Sequence, residues 1–347
     1  MPSHAYIAAT GMITPVGPNT AATHAAVAAG ISAYADSNHY NKQSHPMRMA
    51  LIPEDALPPL NPALNVLGLS YRQQRLLRIA VPALLEAVSK QPLNEPAALF
   101  LALPESIPGC DFKTDLNFIA ALEIQSGVLL NKAASQIFTS GRAGGFEAIA
   151  AAMAYLSQNG NSVALVGGLD TYLDLLLLGI LDQNNRILAE QITDGFAPGE
   201  AAGFLLVISD QAKKYLPFAP AGIIYPPGIA LEPGHRYSDQ PYRGEGLANA
   251  WSQAIENANI GPIDKIFSSL NGENIGAKEI GVALLRNKNA FAAENKIEHP
   301  ADCIGDIGAA FAPVLVGLAC ASNTATRVLH SCSSEQGKRA AAITVSA

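Results

Sequence analysis

Residues 137–156, "IFTSGRAGGFEAIAAAMAYL", run from a short apolar strand through a glycine cluster into an alanine-rich helix. A strand–turn–helix junction of this shape is where many enzymes place an attacking Ser or Cys, because the helix N-terminus stabilises negative charge there. The junction offers Thr139, Ser140 and Arg142, and no cysteine. Along the helix Phe146, Ile149, Ala150 and Met153 form an apolar stripe, yet Ala148, Ala151, Ala152 and Ala154 leave almost no polar face. A helix that is apolar all round is usually buried on every side.

The strands that follow, "SVALVGGLD" (162–170) and "AAGFLLVIS" (201–209), read as core strands. The second half repeats the order: an apolar, small-residue helix in "IGAAFAPVLVGLACAS" (307–322), then strands in "TRVLHSC" (326–332) and "KRAAAITVS" (338–346). A buried helix followed by two strands thus occurs near 145–209 and again near 308–346, which points to duplication. The break falls near residues 210–220, dividing the chain into 1–210 and 211–347. Upstream, "AYIAATGMITPVG" (5–17) reads as a strand and turn leading to a helix from Thr20 to Ala29, and "ALFLALP" (98–104) as a buried strand. Residues 31–62 read as an irregular, polar excursion over the surface. "SYRQQRLLRIAVPALLEAVSK" (70–90) is a helix whose Arg72, Arg75 and Arg78 are expected on a solvated face, available to an acidic partner.

At 347 residues there is room for two domains or one large duplicated one. The chain is 49% hydrophobic and 15% charged, against a usual charged fraction of about 25%. That balance suits a deeply buried α/β core. A net charge of −7 speaks against nucleic-acid binding, which calls for a basic face. The four cysteines, Cys110, Cys303, Cys320 and Cys332, lack CxxC spacing and read as reduced core thiols of a cytoplasmic protein. The seven histidines, His235 among them, lack metal-ligand spacing, so neither a metal nor a cofactor is expected. The N-terminal residues show no signal-peptide pattern. The apolar run from Ile307 to Ala321, interrupted by Pro313, falls short of the about 20 residues a membrane span needs, so no membrane contact is expected.

Several stretches, in order along nearly the whole chain, resemble the β-ketoacyl synthases of the thiolase superfamily. "ATGMITPVG" (9–17) resembles that family's opening strand and turn, and "VALVGGLD" (163–170) the strand after its nucleophile helix. "DGFAPGEAAGFLLV" (194–207) resembles its Asp-Gly-Phe…Gly-Glu-Gly-Ala-Gly segment. "LANAWSQAIENANIGPIDKIFSSLNGEN" (247–274) resembles the approach to the first catalytic histidine, and "GDIGAAFAPVLVGLA" (305–319) the stretch carrying the second. The resemblance implies a duplicated, five-layered αβαβα fold, assembled as a dimer. It also implies a chemistry in which a Cys accepts an acyl group and two histidines help decarboxylate a malonyl extender, while two backbone amides hold the oxyanion.

The functional positions differ. The family's Cys position falls on Arg142, with Ser140 the nearest hydroxyl. The first histidine falls on Asn271, in "SLNGEN", and the second on Asp306, in "GDIGAA". The C-terminal Gly-Phe-Gly-Gly loop is replaced by "SCSSEQGKR" (331–339). Arg142 cannot attack a thioester, and Ser140 would need a base. Asn271 cannot take up a proton, and an ionised Asp306 would repel a malonyl carboxylate and the developing enolate. Loss of one oxyanion donor alone costs about 10²–10³ in rate.

These residues also have structural readings: Thr139 or Ser140 as a helix cap, Asp306 as the N-cap of the second apolar helix, and Arg142 paired with Asp306 or Glu147. Gly195 and Gly272 would set turns, and Phe196 would wall the pocket. The favoured expectation is a non-condensing homologue acting by binding. It is either a chain-length-factor-like subunit beside an active synthase, or an adaptor of the kind suggested by the resemblance of residues 29–60, "SGRAGG" and "DGFAPGEAAGF" to thiolase-like proteins associated with type VI secretion effectors. The alternative is an acyl-group transferase or hydrolase reusing the pocket with Ser140. Expected partners are a second copy or a related synthase subunit, an acyl carrier protein, or a secreted effector. The leucine run in "TYLDLLLLGIL" (171–181) is the expected contributor to a dimer interface.

Overall fold

Apolar runs at 98–102, 163–171 and 200–208 form strands, whereas the longest run, Ile307 to Ala321, is mostly helical. The computed structural model describes residues 3–346, apart from residues 92, 94, 116, 159 and 323. In chain order the strands are β1 (Ala5–Ile13), β2 (Ala35–Tyr40), β3 (Pro46–Met49), β4 (Ala98–Ala102), β5 (Gln136–Phe138), β6 (Val163–Thr171), β7 (Glu200–Ile208), β8 (Gly222–Ile224), β9 (Gly228–Leu231), β10 (Ile263–Ser268), β11 (Phe291–Glu298), β12 (Arg327–Ser333) and β13 (Lys338–Ser346). The helices are α1 (Thr20–Ala28), α2 (Tyr71–Ser89), α3 (Asn117–Ser126), α4 (Gly144–Leu156), α5 (Leu175–Gln183), α6 (Asp210–Lys213), α7 (Glu245–Ala258), α8 (Asn274–Arg286), α9 (Ala301–Ile304) and α10 (Phe311–Cys320).

All strands except the β2–β3 hairpin join one sheet, ordered β11-β10-β12-β13-β8-β1-β7-β6-β4-β5, with β9 also paired to β13. The order is the same read inward from either end. In each half the outer strand runs parallel to its neighbour, which is parallel to the next; the pairings after that are antiparallel. The two halves meet where β1 pairs antiparallel with β8.

Side-chain alternation along the strands gives each half-sheet two buried faces. Leu99, Leu101, Leu165 and Leu206 pack with Leu76, Ile79 and Leu84 of α2 and Phe118 and Leu122 of α3. Their alternates Phe100, Val166 and Leu205 turn to the opposite face, where they share a core with Phe146, Ile149 and Met153 of α4 and Val314 and Leu318 of α10. Val328, Cys332 and Ala342 of the second half reach the same core, while Ile266, Leu329 and Ile343 face Leu247 and Trp251 of α7. The result is five layers, helix–sheet–helix–sheet–helix, with α4 and α10 in the middle. Nine core residues of α10 are buried, Phe311 through Ala319, which explains its lack of a polar face. Among the described residues no helix is long and apolar enough to cross a membrane.

Two expectations need correction. Residues 31–62 are not simply an irregular surface excursion: they include the β2–β3 hairpin, and Met47, Met49, Ala50 and Ile52 are buried. Arg72, Arg75 and Arg78 do not lie on a solvated face. Arg72 donates to Asp170 at 3.0 Å, and Arg75 to Glu200 at 2.7 and 2.5 Å. Arg78 pairs with Glu54. Asp170 ends one apparent core strand and Glu200 precedes another, so nothing local to α2 announces that its arginines turn inward to meet them.

Candidate functional site

A single 3₁₀ turn, Gly141–Ala143, leads into α4, and its counterpart Gly308–Ala310 leads into α10. Both turns start on a left-handed glycine, with φ of 57° at Gly141 and 48° at Gly308. The two helices meet head to head, Gly145 lying so close to Ala312 that a Cβ there would come within 2.5 Å of the Ala312 Cβ.

Arg142 occupies the first of these turns and is only 6% exposed. Its Nε donates to Asp306 Oδ1 at 3.2 Å and Oδ2 at 3.1 Å, and its Nη2 also donates to Oδ2. Nη1 donates to Glu335 Oε1 at 3.0 Å and to the Ser333 carbonyl at 3.3 Å. Asp306 precedes the second turn and accepts the Gly308 amide at 2.9 Å, but it is not the N-cap of α10, a position held by Ala310. Asn271 Nδ2 donates to Asp306 at 2.7 Å and to Glu273 at 3.1 Å. Arg142, Asn271 and Asp306 therefore meet at one point. Glu147, the other partner open to Arg142, pairs with Lys338 instead.

The cluster extends through residues that sequence reasoning missed. Arg186, beyond α5, donates to both oxygens of Glu273 at 2.8 Å and to Glu335 at 2.9 and 3.0 Å. Arg236 donates to Glu273 at 2.8 Å and lies 3.4 Å from Glu335. Three guanidinium groups are thus balanced by Asp306, Glu273 and Glu335, the condition under which charges survive burial. Burial works against the Glu335 charge, but Arg186 and Arg142 override it and hold the carboxyl well below its ordinary range. Burial likewise opposes the Arg142 charge, and its acidic neighbours, Asp306 foremost with Glu335, together outweigh it. The signal for Glu335 was present: an acid in the middle of the Ser/Gly turn "SSEQG" that stands in place of the expected loop.

Little space is left. The void beside Arg142, Asn271 and Glu273 measures about 60 Å³, and a second, beside Arg72, Asp170 and Tyr172, about 30 Å³. Small-molecule pockets span about 300–1,000 Å³. The α4 N-terminus is also engaged: the Ala143 amide donates to Ser334 Oγ at 2.9 Å. The Ala309 amide before α10 donates reciprocally to Asp170 Oδ2 at 2.9 Å. An oxyanion hole needs such amides free and aimed at a reacting atom.

Ser140 does not cap the turn, and Thr139 is exposed; the capping oxygen comes from Ser334. Ser140 Oγ receives a hydrogen bond from Lys338 Nζ at 3.2 Å, and the same nitrogen reaches Glu147 at 2.6 Å. A lysine donor committed to a carboxylate supplies no base for attack. Phe196, Gly195 and Gly272 line neither void. Phe196 is buried against the Tyr172 ring, with the Arg186 guanidinium 5.3 Å from its centroid. Gly195 packs on the backbone of Arg186–Leu188, and Gly272 adopts φ of 103°.

No protein-family model matches the chain, and no curated protein matches it in sequence. Solved structures share its fold. The ketosynthase from module 6 of the bacillaene synthase from Bacillus subtilis 168 aligns with a TM-score of 0.80 at 15% identity, over 99% of this chain and 72% of that one. The ishigamide ketosynthase/chain length factor gives 0.76 at 15% identity over 99% of both chains. A complex of a type II PKS acyl-carrier protein with its ketosynthase bound to the hexaketide gives 0.76 at 14% identity over 100% of both. The fold is therefore thiolase-like, of the ketosynthase kind; at these identities the likeness establishes the fold alone.

Proposed function

We propose that this chain acts by binding and not by condensation, as a partner subunit of the chain-length-factor type set beside a ketosynthase. The observation that carries the reading is the state of Arg142. It stands at the head of the central helix, tied to Asp306 and Glu335, and the adjoining void of about 60 Å³ cannot hold an acyl chain. A nucleophile, a proton acceptor and a free pair of amide donors are what acyl condensation requires of this place. An ion cluster that fills the space, beside an amide taken by Ser334, instead stabilises the centre of the fold. The likeness in fold to a ketosynthase/chain length factor over nearly the full length of both chains supports the same reading. We read the chain as two halves, 1–210 and 211–347, and count an acyl carrier protein as a further contact, since a similar structure is of a ketosynthase with its carrier protein.

The test is co-expression with a type II ketosynthase subunit followed by size-exclusion chromatography with light scattering. A stoichiometric complex is expected. Failure to associate, together with covalent acylation of the isolated chain, would overturn the proposal.

A further inference from the structure

Glu335 sits on the turn between β12 and β13 and is met by three arginines from three separate segments. Arg142 donates to Oε1 at 3.0 Å; Arg186 donates to Oε1 at 2.9 Å and Oε2 at 3.0 Å; Arg236 Nε lies 3.4 Å from Oε2. A two-pronged guanidinium with two more beside it is the donor set by which proteins recognise a free carboxylate.

The backbone under Glu335 is held independently of that side chain. The amides of Glu335 and Gln336 donate to Glu105 at 2.8 and 3.0 Å, the Ser334 amide to the Lys338 carbonyl at 2.9 Å, and Gln336 Nε2 to the Ser106 carbonyl at 2.5 Å. The turn therefore keeps these hydrogen bonds whether or not the Glu335 carboxylate meets the arginines. The two voids, of about 60 and about 30 Å³, are both lined by Arg142 and Glu335, so this pair is the partition between them. Without the Glu335 carboxylate, the three arginines keep ion pairs with Asp306 and Glu273 alone, so the cluster holds one guanidinium more than it has ion-paired carboxylates.

We propose that Arg142, Arg186 and Arg236 form a binding site for a small-molecule carboxylate, with Glu335 as the chain's own occupant, which such a ligand displaces. This goes beyond the partner-subunit reading and does not depend on it. The voids admit only a small anion. The Arg142 and Arg186 side chains, 8% and 6% exposed, lie too deep for an acidic side chain of a docked protein. Arg236, at 26%, marks the way in. Because Glu335 is tethered beside the arginines, its high effective concentration keeps the affinity of the unaltered chain low.

The experiment titrates acetate, with equimolar chloride as control, into the unaltered protein, E335A and E335Q by calorimetry. E335A is expected to bind acetate at least about tenfold more tightly than the unaltered chain, a difference of about 1.4 kcal/mol, with E335Q in between. Adding R186A to E335A is expected to abolish the gain. Equal affinity for E335A and the unaltered chain, or an equal response to chloride, would overturn the proposal. Should E335A not fold in plain buffer, its refolding yield decides: recovery in acetate but not in chloride supports the site, and the same yield in both rejects it.

Discussion

Arg142 and Asp306 form an ion pair that joins the two halves of the fold, the first at the head of α4 and the second before α10, with the arginine Nε 3.1 and 3.2 Å from the two carboxylate oxygens. Both residues are buried, 6% and 1% exposed, and each neutralises a charge the other could not bury alone. Removing one partner leaves an uncompensated buried charge, which costs about 3–5 kcal/mol, whereas replacing both with apolar residues of similar size is often close to neutral. D306A is therefore expected to lose about 3–5 kcal/mol in denaturant unfolding, and the double variant R142M/D306L much less. A D306A loss of under about 1 kcal/mol would show that the pair is incidental.

Chemistry at Ser140 gives a second expectation. Its hydroxyl faces a lysine already engaged by Glu147, and the nearby Ala143 amide is taken by Ser334. Incubation with acetyl and malonyl thioesters should leave the intact mass unchanged, and S140A should be indistinguishable from the unaltered chain. A stoichiometric adduct lost in S140A would restore the transferase or hydrolase reading.

The Glu105 carboxyl makes stability depend on pH near neutrality. Burial pushes it up to about 7 from an ordinary 4.5; the Gln336 and Glu335 amides and Arg142 pull against that rise, and the Glu335 charge adds to it. The folded chain thus holds this proton more tightly than the unfolded one. The resulting stabilisation, about 3 kcal/mol, is fully present below 4.5 and is lost as pH rises through about 7. Glu335, whose carboxyl is held low, acts in the opposite sense: its contribution is present above 4.5 and is lost as pH falls further. Thermal melting should show stability rising from pH of about 7.5 down to about 5 in the unaltered chain and a flatter profile in E105Q. Equal slopes in the two would remove Glu105 from the account.

Two helical glycines should respond with opposite signs. A Cβ on Gly145 would meet Ala312 Cβ at 2.5 Å and Pro313 Cδ at 3.1 Å, inside the packed centre. A Cβ on exposed Gly179 in α5 would meet nothing within 4 Å. Overpacking costs about 1–3 kcal/mol, and Gly→Ala in an open helix gains about 0.5–1 kcal/mol. G145A should therefore melt lower than the unaltered chain and G179A higher.

The repeated fold was readable because its signal is local. Apolar strands of the "VALVGGLD" kind and two helices without a polar face recur in the same order, and such helices have nowhere to go but a middle layer. The convergence of Arg142, Asn271 and Asp306 was readable through aligned positions. What escaped was long-range pairing. Arg72 and Arg75 have the spacing of a solvated stripe, and only the folded chain brings Asp170 and Glu200 against them. Arg186, Arg236, Glu273 and Glu335 come from segments far apart in sequence, and no periodicity or motif couples them. The misplaced cap has the same origin: the hydroxyl that holds the α4 amide belongs to Ser334, in the other half of the chain.

Association is the last expectation. At the start of α5, Asp174 caps the helix through the Leu176 and Leu177 amides, which turns Leu177, Leu178 and Leu181 inward and leaves Leu175 and Leu176 75% and 60% exposed. Only part of the leucine run is therefore available to a partner, and it is those two side chains. Paired leucines at a helix start are suited to the apolar centre of a two-fold interface, where the same patch meets itself. A stable dimer of that kind buries roughly 2,000 Å² or more. The chain is expected to dimerise with itself or with a related synthase subunit, and L175E/L176E to weaken that association without lowering the melting temperature of the monomer. Light scattering at micromolar concentration separates the cases. A monomer that pairs only when a synthase subunit is added favours the heterodimer, and a dimer that survives L175E/L176E unchanged would remove these leucines from the interface.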